Sequence, residues 1–232
     1  MNRFMARLKD VLVYPARFYE NLTDRKATLI AGAIMVGAID FLLPDINSVV
    51  KLLITGKPVN DMLFNIFMAV FAILLLGCID VVFMGVPLYD IFSYLKKKDV
   101  VMSEEDDGEN FASFSPRPES KAPVVHNASL IKVIKAYIIL HFIIIPVQAV
   151  LYYILMRDIT DSSPMWMQNL ALILLMLIFI WASAILTRGI NVLFRFNPVF
   201  RRLTFIIVFT WNFIFNMVFD MQIMNWVLKL FR

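Results

Sequence analysis

The sequence predicts an all-α membrane domain, a bundle of five transmembrane helices, and three observations predict it. Hydrophobic residues make up 60% of the 232 positions and charged residues only 17%, against roughly 45–50% and about 25% in water-soluble domains. The excess is gathered into five blocks of 17 or more residues, each long enough to cross a hydrocarbon core about 30 Å thick at 1.5 Å per residue. The density of Lys and Arg alternates from one inter-block segment to the next, as the positive-inside rule requires of a chain that crosses repeatedly. β-Barrel strands are excluded, because they would alternate in hydropathy over segments of about ten residues.

The elements follow in order. Residues 1–26 are basic and amphipathic, with Phe4, Met5, Leu8, Val11 and Leu12 at helical spacing between Arg3, Arg7 and Lys9. That pattern suits a helix lying in the membrane interface. The apolar run Val11–Leu12–Val13 is too short for a signal h-region of about 7–15 residues. Pro15 permits a new helix, and Thr23 or Asp24 could cap the next one. Span 1 is read at 27–43, closed by Pro44 and Asp45. Span 2 is read at 62–86, with Asp80 inside and Pro87 after it. Span 3 covers 131–156 and contains His141, Pro146 and Gln148. Span 4 covers 169–186. Span 5 covers 203–226 and carries Asn212, Asn216, Asp220 and Gln222. Between spans 2 and 3, residues 96–127 join Lys96–Lys98, the acidic run Glu104–Asp107 and three prolines. That composition has little to bury and is expected to be a disordered cytoplasmic loop. No internal repeat is evident.

Topology follows from counting Lys and Arg. The N-terminal segment, the loop between spans 2 and 3, and the loop between spans 4 and 5 together hold 17 of the 22; the other side holds five. The N-terminus is therefore expected in the cytoplasm and the C-terminus outside. Tyr152, Tyr153, Trp166 and Trp226 would form an outer aromatic belt. The net charge of +4 is read as membrane and headgroup chemistry rather than nucleic-acid binding, since no basic stripe is interleaved with exposed aromatics. The single cysteine, Cys78, cannot form an internal disulfide or, alone, a metal site, and is expected to be a buried apolar side chain.

Ionisable groups inside a membrane are the first place to look for function, because burying one costs about 2.5–3.5 kcal/mol or more. Span 2 runs inward and span 3 outward, so Asp80 and His141 both fall in the inner half and could pair. A histidine beside a carboxylate suits proton chemistry near neutral pH, although such pairs more often serve structure alone. Asp40 and Asp220 are placed in the outer half. Asn212, Asn216 and Asp220 are spaced by four and share one helix face, where polar glue between helices is the first reading and an ion path the second.

No metal site, cofactor site or catalytic site is expected. The sequence holds no Walker A loop, HExxH, GxSxG or CxxC. Tyr89–Asp90 and Gly77–Cys78–Ile79–Asp80 share residue types with intramembrane aspartyl proteases. The second is not GxGD, however, and both lie on one helix, whereas two catalytic aspartates must face each other from neighbouring helices. Ser183 with His141 lacks the glycine context of a rhomboid dyad. Two glycosylation sequons, at Asn21 and Asn127, fall on the cytoplasmic side.

Leu12–Val13–Tyr14–Pro15–Ala16–Arg17–Phe18, a helix–proline–aromatic lead-in to span 1, and Lys135–Ala136–Tyr137 followed by Pro146 in span 3 resemble the Yip1 domain family. Ala136 stands where that family usually has glycine. The resemblance implies five spans, a cytoplasmic N-terminus and a short outer C-terminus. The eukaryotic branch has a long cytosolic N-terminal region and engages Rab GTPases. This chain lacks that region and is more similar to the bacterial branch, which implies a bacterial cytoplasmic membrane protein, and Rab binding is not carried over. Two function classes remain. One is a non-enzymatic scaffold or adaptor for membrane organisation, partnered by the bilayer, other membrane proteins or a second copy of itself. The other is a small ion-, proton- or solute-transporting protein using the intramembrane Asp and His residues.

Overall fold

The computed structural model describes residues 16–42, 59–109, 128–151 and 163–218, with 222, 223 and 226. Residues 1–15, and with them most of the expected interfacial helix, lie outside the described residues. Among the described residues every regular element is helical. The elements are α1 (Ala16–Glu20), α2 (Lys26–Leu42), α3 (Val59–Glu109), α4 (Leu130–Leu151), α5 (Met165–Phe194) and α6 (Pro198–Val218). Four helices, α3 to α6, are long and apolar enough to cross a membrane, and the chain is an integral membrane protein of all-α class. The region read as span 1 is α2, 17 residues long.

α3 and α4 form the middle of the bundle. α2 packs on both of them, and α5 and α6 pack together on the other side. The register gives the directions. Gly32 faces Ile138 and Asp40 faces His141, so α2 and α4 advance together. Gly85 faces Ile134 while Asp80 meets Tyr137, so α3 runs against α4.

Apolar side chains cannot drive helices together in lipid as they do in water, so close packing of small residues has to. α2 and α3 meet backbone to backbone at glycines. A Cβ on Gly37 would collide with the Ile73 carbonyl and Gly77, and one on Gly77 with the Ala33 carbonyl. From Gly77 the buried stripe of α3 continues through Asp80, Val81, Met84 and Leu88 at helical spacing. Cys78, expected to be buried, is exposed. It lies one residue on from Gly77, about 100° around the helix from the face that α2 covers.

Where spans 2 and 3 were to be joined by disorder from residue 96, α3 instead continues as helix to Glu109. Only residues 110–127 of that segment lie outside the described residues. The helix continues because its lower part is held. Phe92 packs against Phe194 and Phe196. Lys96 Nζ pairs with buried Asp99 at 2.8 Å and donates to the Arg195 carbonyl at 3.0 Å. That carbonyl belongs to the left-handed residue, φ 51°, that ends α5, so a lysine stands at the negative end of α5.

Pro87 sits inside α3. A proline has no N–H, so the carbonyl four residues earlier, that of Phe83, loses its helical donor. The Trp211 indole N–H of α6 donates to that carbonyl at 3.2 Å. α1 docks through Tyr19, which is fully buried against Gly189 and donates its hydroxyl to the Ile185 carbonyl at 3.2 Å. Thr23 and Asp24, expected to cap the next helix, are engaged across the bundle instead. Lys135 Nζ donates to the Thr23 carbonyl at 2.5 Å, Ser129 donates to Asp24, and Lys132 Nζ lies 3.7 Å from the same carboxylate. All Lys and Arg among the described residues fall at this one end of the bundle, with α1, the starts of α2, α4 and α6, the end of α5 and the lower half of α3.

Candidate functional site

Three ionisable side chains from three helices converge between α2, α3 and α4. Asp40 comes from the last turn of α2, Asp80 from the buried stripe of α3, and His141 from the middle of α4. His141 Nε2 lies 3.0 Å from Asp40 Oδ1, a hydrogen-bond distance. His141 Nδ1 lies 3.9 Å from Asp80 Oδ2, an ion-pair distance. Tyr137, one turn before His141, donates its hydroxyl to Asp80 Oδ1 at 2.6 Å, and its ring packs beside the imidazole. The Asp80 side chain is 2% exposed, that of Asp40 11% and that of His141 18%. Among the described residues Asp40 Oδ2 is buried without a hydrogen-bond partner.

His141 lies six positions beyond Lys135, about 9 Å along α4. The cluster therefore sits well inside the apolar part of the bundle. Sequence reasoning put Asp80 and His141 at one depth, and the structure brings them together. It also placed Asp40 in the opposite half, and that is corrected here. The placement assumed that span 1 crosses from face to face in step with its neighbours. Instead Asp24 and Thr23 are tied to Ser129, Lys132 and Lys135 at the start of α4, which sets the register of α2 so that Asp40 arrives beside His141.

A signal for this was present in the sequence. Gly37–Ala38–Ile39–Asp40 and Gly77–Cys78–Ile79–Asp80 share the pattern Gly-x-Ile-Asp. The two copies lie on antiparallel helices that touch at their glycines, and each side chain leans toward its own helix N-terminus. The two carboxylates therefore lean toward each other over the crossing. Tyr137 was quoted in the sequence only for a family pattern, and its role as the donor to Asp80 was not legible there.

One oxygen of each carboxylate and one ring nitrogen of His141 lie within 4.8 Å of one another, a spacing that could admit a cation. The orientation favours a proton more than a metal, because the two carboxylates address different ring nitrogens instead of converging with one nitrogen on a common point. It also differs from an aspartyl dyad, whose carboxylates share a proton directly; here the imidazole is hydrogen-bonded to one of them.

The remaining expected residues lie elsewhere. Asn212 is buried and its amide is 3.4 Å from Ser183 Oγ, linking α6 to α5. Asn216 Nδ2 donates to the Asn212 carbonyl at 2.7 Å and to its Oδ1 at 2.9 Å. The Asn212–Ser183 contact joins two helices and the Asn216 bonds lie within α6, on a different helix pair from the Asp–His cluster. Asp220 lies outside the described residues.

Comparison of the chain with protein-family models, with curated proteins and with solved structures finds no match, so the functional argument rests on this geometry.

Proposed function

We propose that the protein is a five-span membrane protein that takes up and passes protons, or a small cation in their place, at the Asp40–His141–Asp80 cluster. The observation that carries this reading is a histidine held between two carboxylates inside the apolar part of a membrane bundle. Each carboxylate faces a different ring nitrogen, and Asp40 keeps one buried oxygen without a hydrogen bond among the described residues. A proton arriving on Asp40 can pass to Nε2, while the proton on Nδ1 leaves for Asp80. The 3.9 Å separation at Nδ1 must shorten to about 3 Å for that transfer, so a small rocking of α4 against α3 would gate the relay. Tyr137 keeps Asp80 oriented to receive.

The fifth span is α2. Its support is its apolar run, its antiparallel pairing with α3 and the gathering of Lys and Arg at one end of the bundle, which the positive-inside rule puts in the cytoplasm. Membership of the Yip1 family, in its bacterial form and in the cytoplasmic membrane, is carried here as a proposal. The Tyr137-then-Pro146 pattern behind it supplies the very tyrosine bonded to Asp80.

The competing reading is a non-enzymatic scaffold or adaptor. It is favoured by the Gly37–Gly77 contact, which leaves α2 and α3 little freedom to part. Proteoliposomes separate the two. Wild-type protein should dissipate an imposed pH gradient faster than empty vesicles, and Asp40→Asn and Asp80→Asn should return the rate to that of empty vesicles. No flux above background in the wild type, or full flux in both variants, would leave the scaffold reading.

A further inference from the structure

A second site lies at the basic end of the bundle, apart from the Asp–His cluster. A cavity of about 650 Å³ opens between the end of α5, the start of α6 and α1. α1 forms one wall because Tyr19 clamps it against Gly189, which brings Glu20 to the rim. One face of α5 supplies Thr187, Arg188, Asn191 and Arg195, and α6 supplies Arg201. Three arginines and Glu20 thus line one cavity.

Two further atoms give the cavity its chemistry. Thr187 is 7% exposed, and among the described residues its hydroxyl is buried without a hydrogen-bond partner; Asn191 Oδ1 is buried and without a partner among them as well. Buried polar atoms are nearly always satisfied, so two orphans in one wall call for a ligand or water. Their roles are complementary, since a hydroxyl can donate and an amide oxygen can only accept. The Arg201 guanidinium is oriented by its Nε donating to the Phe196 carbonyl at 2.8 Å. Lys96 on the Arg195 carbonyl offsets the negative end of α5 and so removes a repulsion that an anion would otherwise meet there.

We propose that this cavity binds a phosphate ester that also carries a hydrogen-bond donor. The guanidinium groups and the Thr187 hydroxyl would hold the phosphate oxygens, and Asn191 Oδ1 with Glu20 would accept from an alcohol or ammonium group. Fork-shaped guanidinium groups suit phosphate geometry. The position at the charged end of a membrane bundle fits a phospholipid headgroup of the glycerol type, and a soluble glycerol phosphate offers the same chemistry. The inference is independent of proton transfer at the Asp–His cluster.

The test uses the full chain in a neutral detergent, with bound lipid read by native mass spectrometry after mixing with phosphatidylglycerol or phosphatidylcholine. Wild type should retain phosphatidylglycerol preferentially. Arg201→Gln and Thr187→Val should weaken retention roughly tenfold or more, while Arg202→Gln, outside the cavity, should not. Thr187→Val removes a hydroxyl that no group among the described residues bonds, so its thermal midpoint should not fall. Displacement by glycerol 3-phosphate would identify a soluble ester as the occupant, and its failure to displace would identify the lipid. Equal retention of the two lipids by wild type, or undiminished retention in both cavity variants, overturns the proposal.

Discussion

Tyr137 shows what one hydroxyl does inside an apolar bundle. Its 2.6 Å bond to Asp80 Oδ1 is a donor to a buried carboxylate, and removing such a donor costs about 1.5–3 kcal/mol. Tyr137→Phe should therefore lower the unfolding free energy in detergent by about that much. Combined with Asp80→Asn it should cost clearly less than the two singles together, because both act on one contact. Unchanged stability in Tyr137→Phe, or strict additivity, would show that the bond is not made. At this scale the sequence was half legible. Depth reckoning brings Asp80 to His141, because both lie in long apolar spans that run in opposite directions. It fails for Asp40, because Thr23 and Asp24 look like ordinary caps in sequence and reveal their partners on α4 only once folded.

Glycine decides how the elements meet. Gly37 and Gly77 let α2 and α3 touch through their backbones, which sets the crossing one turn from both aspartates. Gly77→Ala should force the helices apart and cost at least about 1 kcal/mol, as overpacking does, and it should disturb the Asp40–His141 contact as well. Ala31→Leu, on an exposed position of α2, serves as the control and should leave the thermal midpoint where it is. A Gly77→Ala protein with wild-type stability would contradict the close crossing. Hydropathy finds these helices but is blind to their crossing, since glycine adds nothing to an apolar count. The doubled Gly-x-Ile-Asp pattern carries the information, in a form too short to register as a repeat. The same limit applied to α3. The sequence reading ended the span at residue 86, before Pro87, and began a loop at Lys96, whereas the aromatic contacts of Phe92 and the anchoring of Lys96 on α5 carry the helix to Glu109.

The whole molecule is electrically lopsided, with its described Lys and Arg at one end. Reporter fusions at positions 1 and 232 should signal from opposite faces of the membrane, the first from the cytoplasm. Signals from the same face would remove α2 from the set of spans and with it the five-span topology. The gathering of the described Lys and Arg at one end could be read from the sequence, because charge counting needs no contact information. The convergence of α1, α5 and α6 on one basic cavity could not, since it depends on Tyr19 finding Gly189 across most of the chain.

α3 has 51 residues, about 77 Å of helix at 1.5 Å per residue, far more than a bilayer requires. Beyond Lys96, which lies level with the end of α5, some 20 Å of it remains. Lys96–Lys98 fall with the other described Lys and Arg at the basic end of the bundle. The acidic run at positions 104–107 begins about 12 Å further along the helix. A continuous helix is a stiff spacer, so α3 sets the distance between the basic end of the bundle and its own last residue, Glu109.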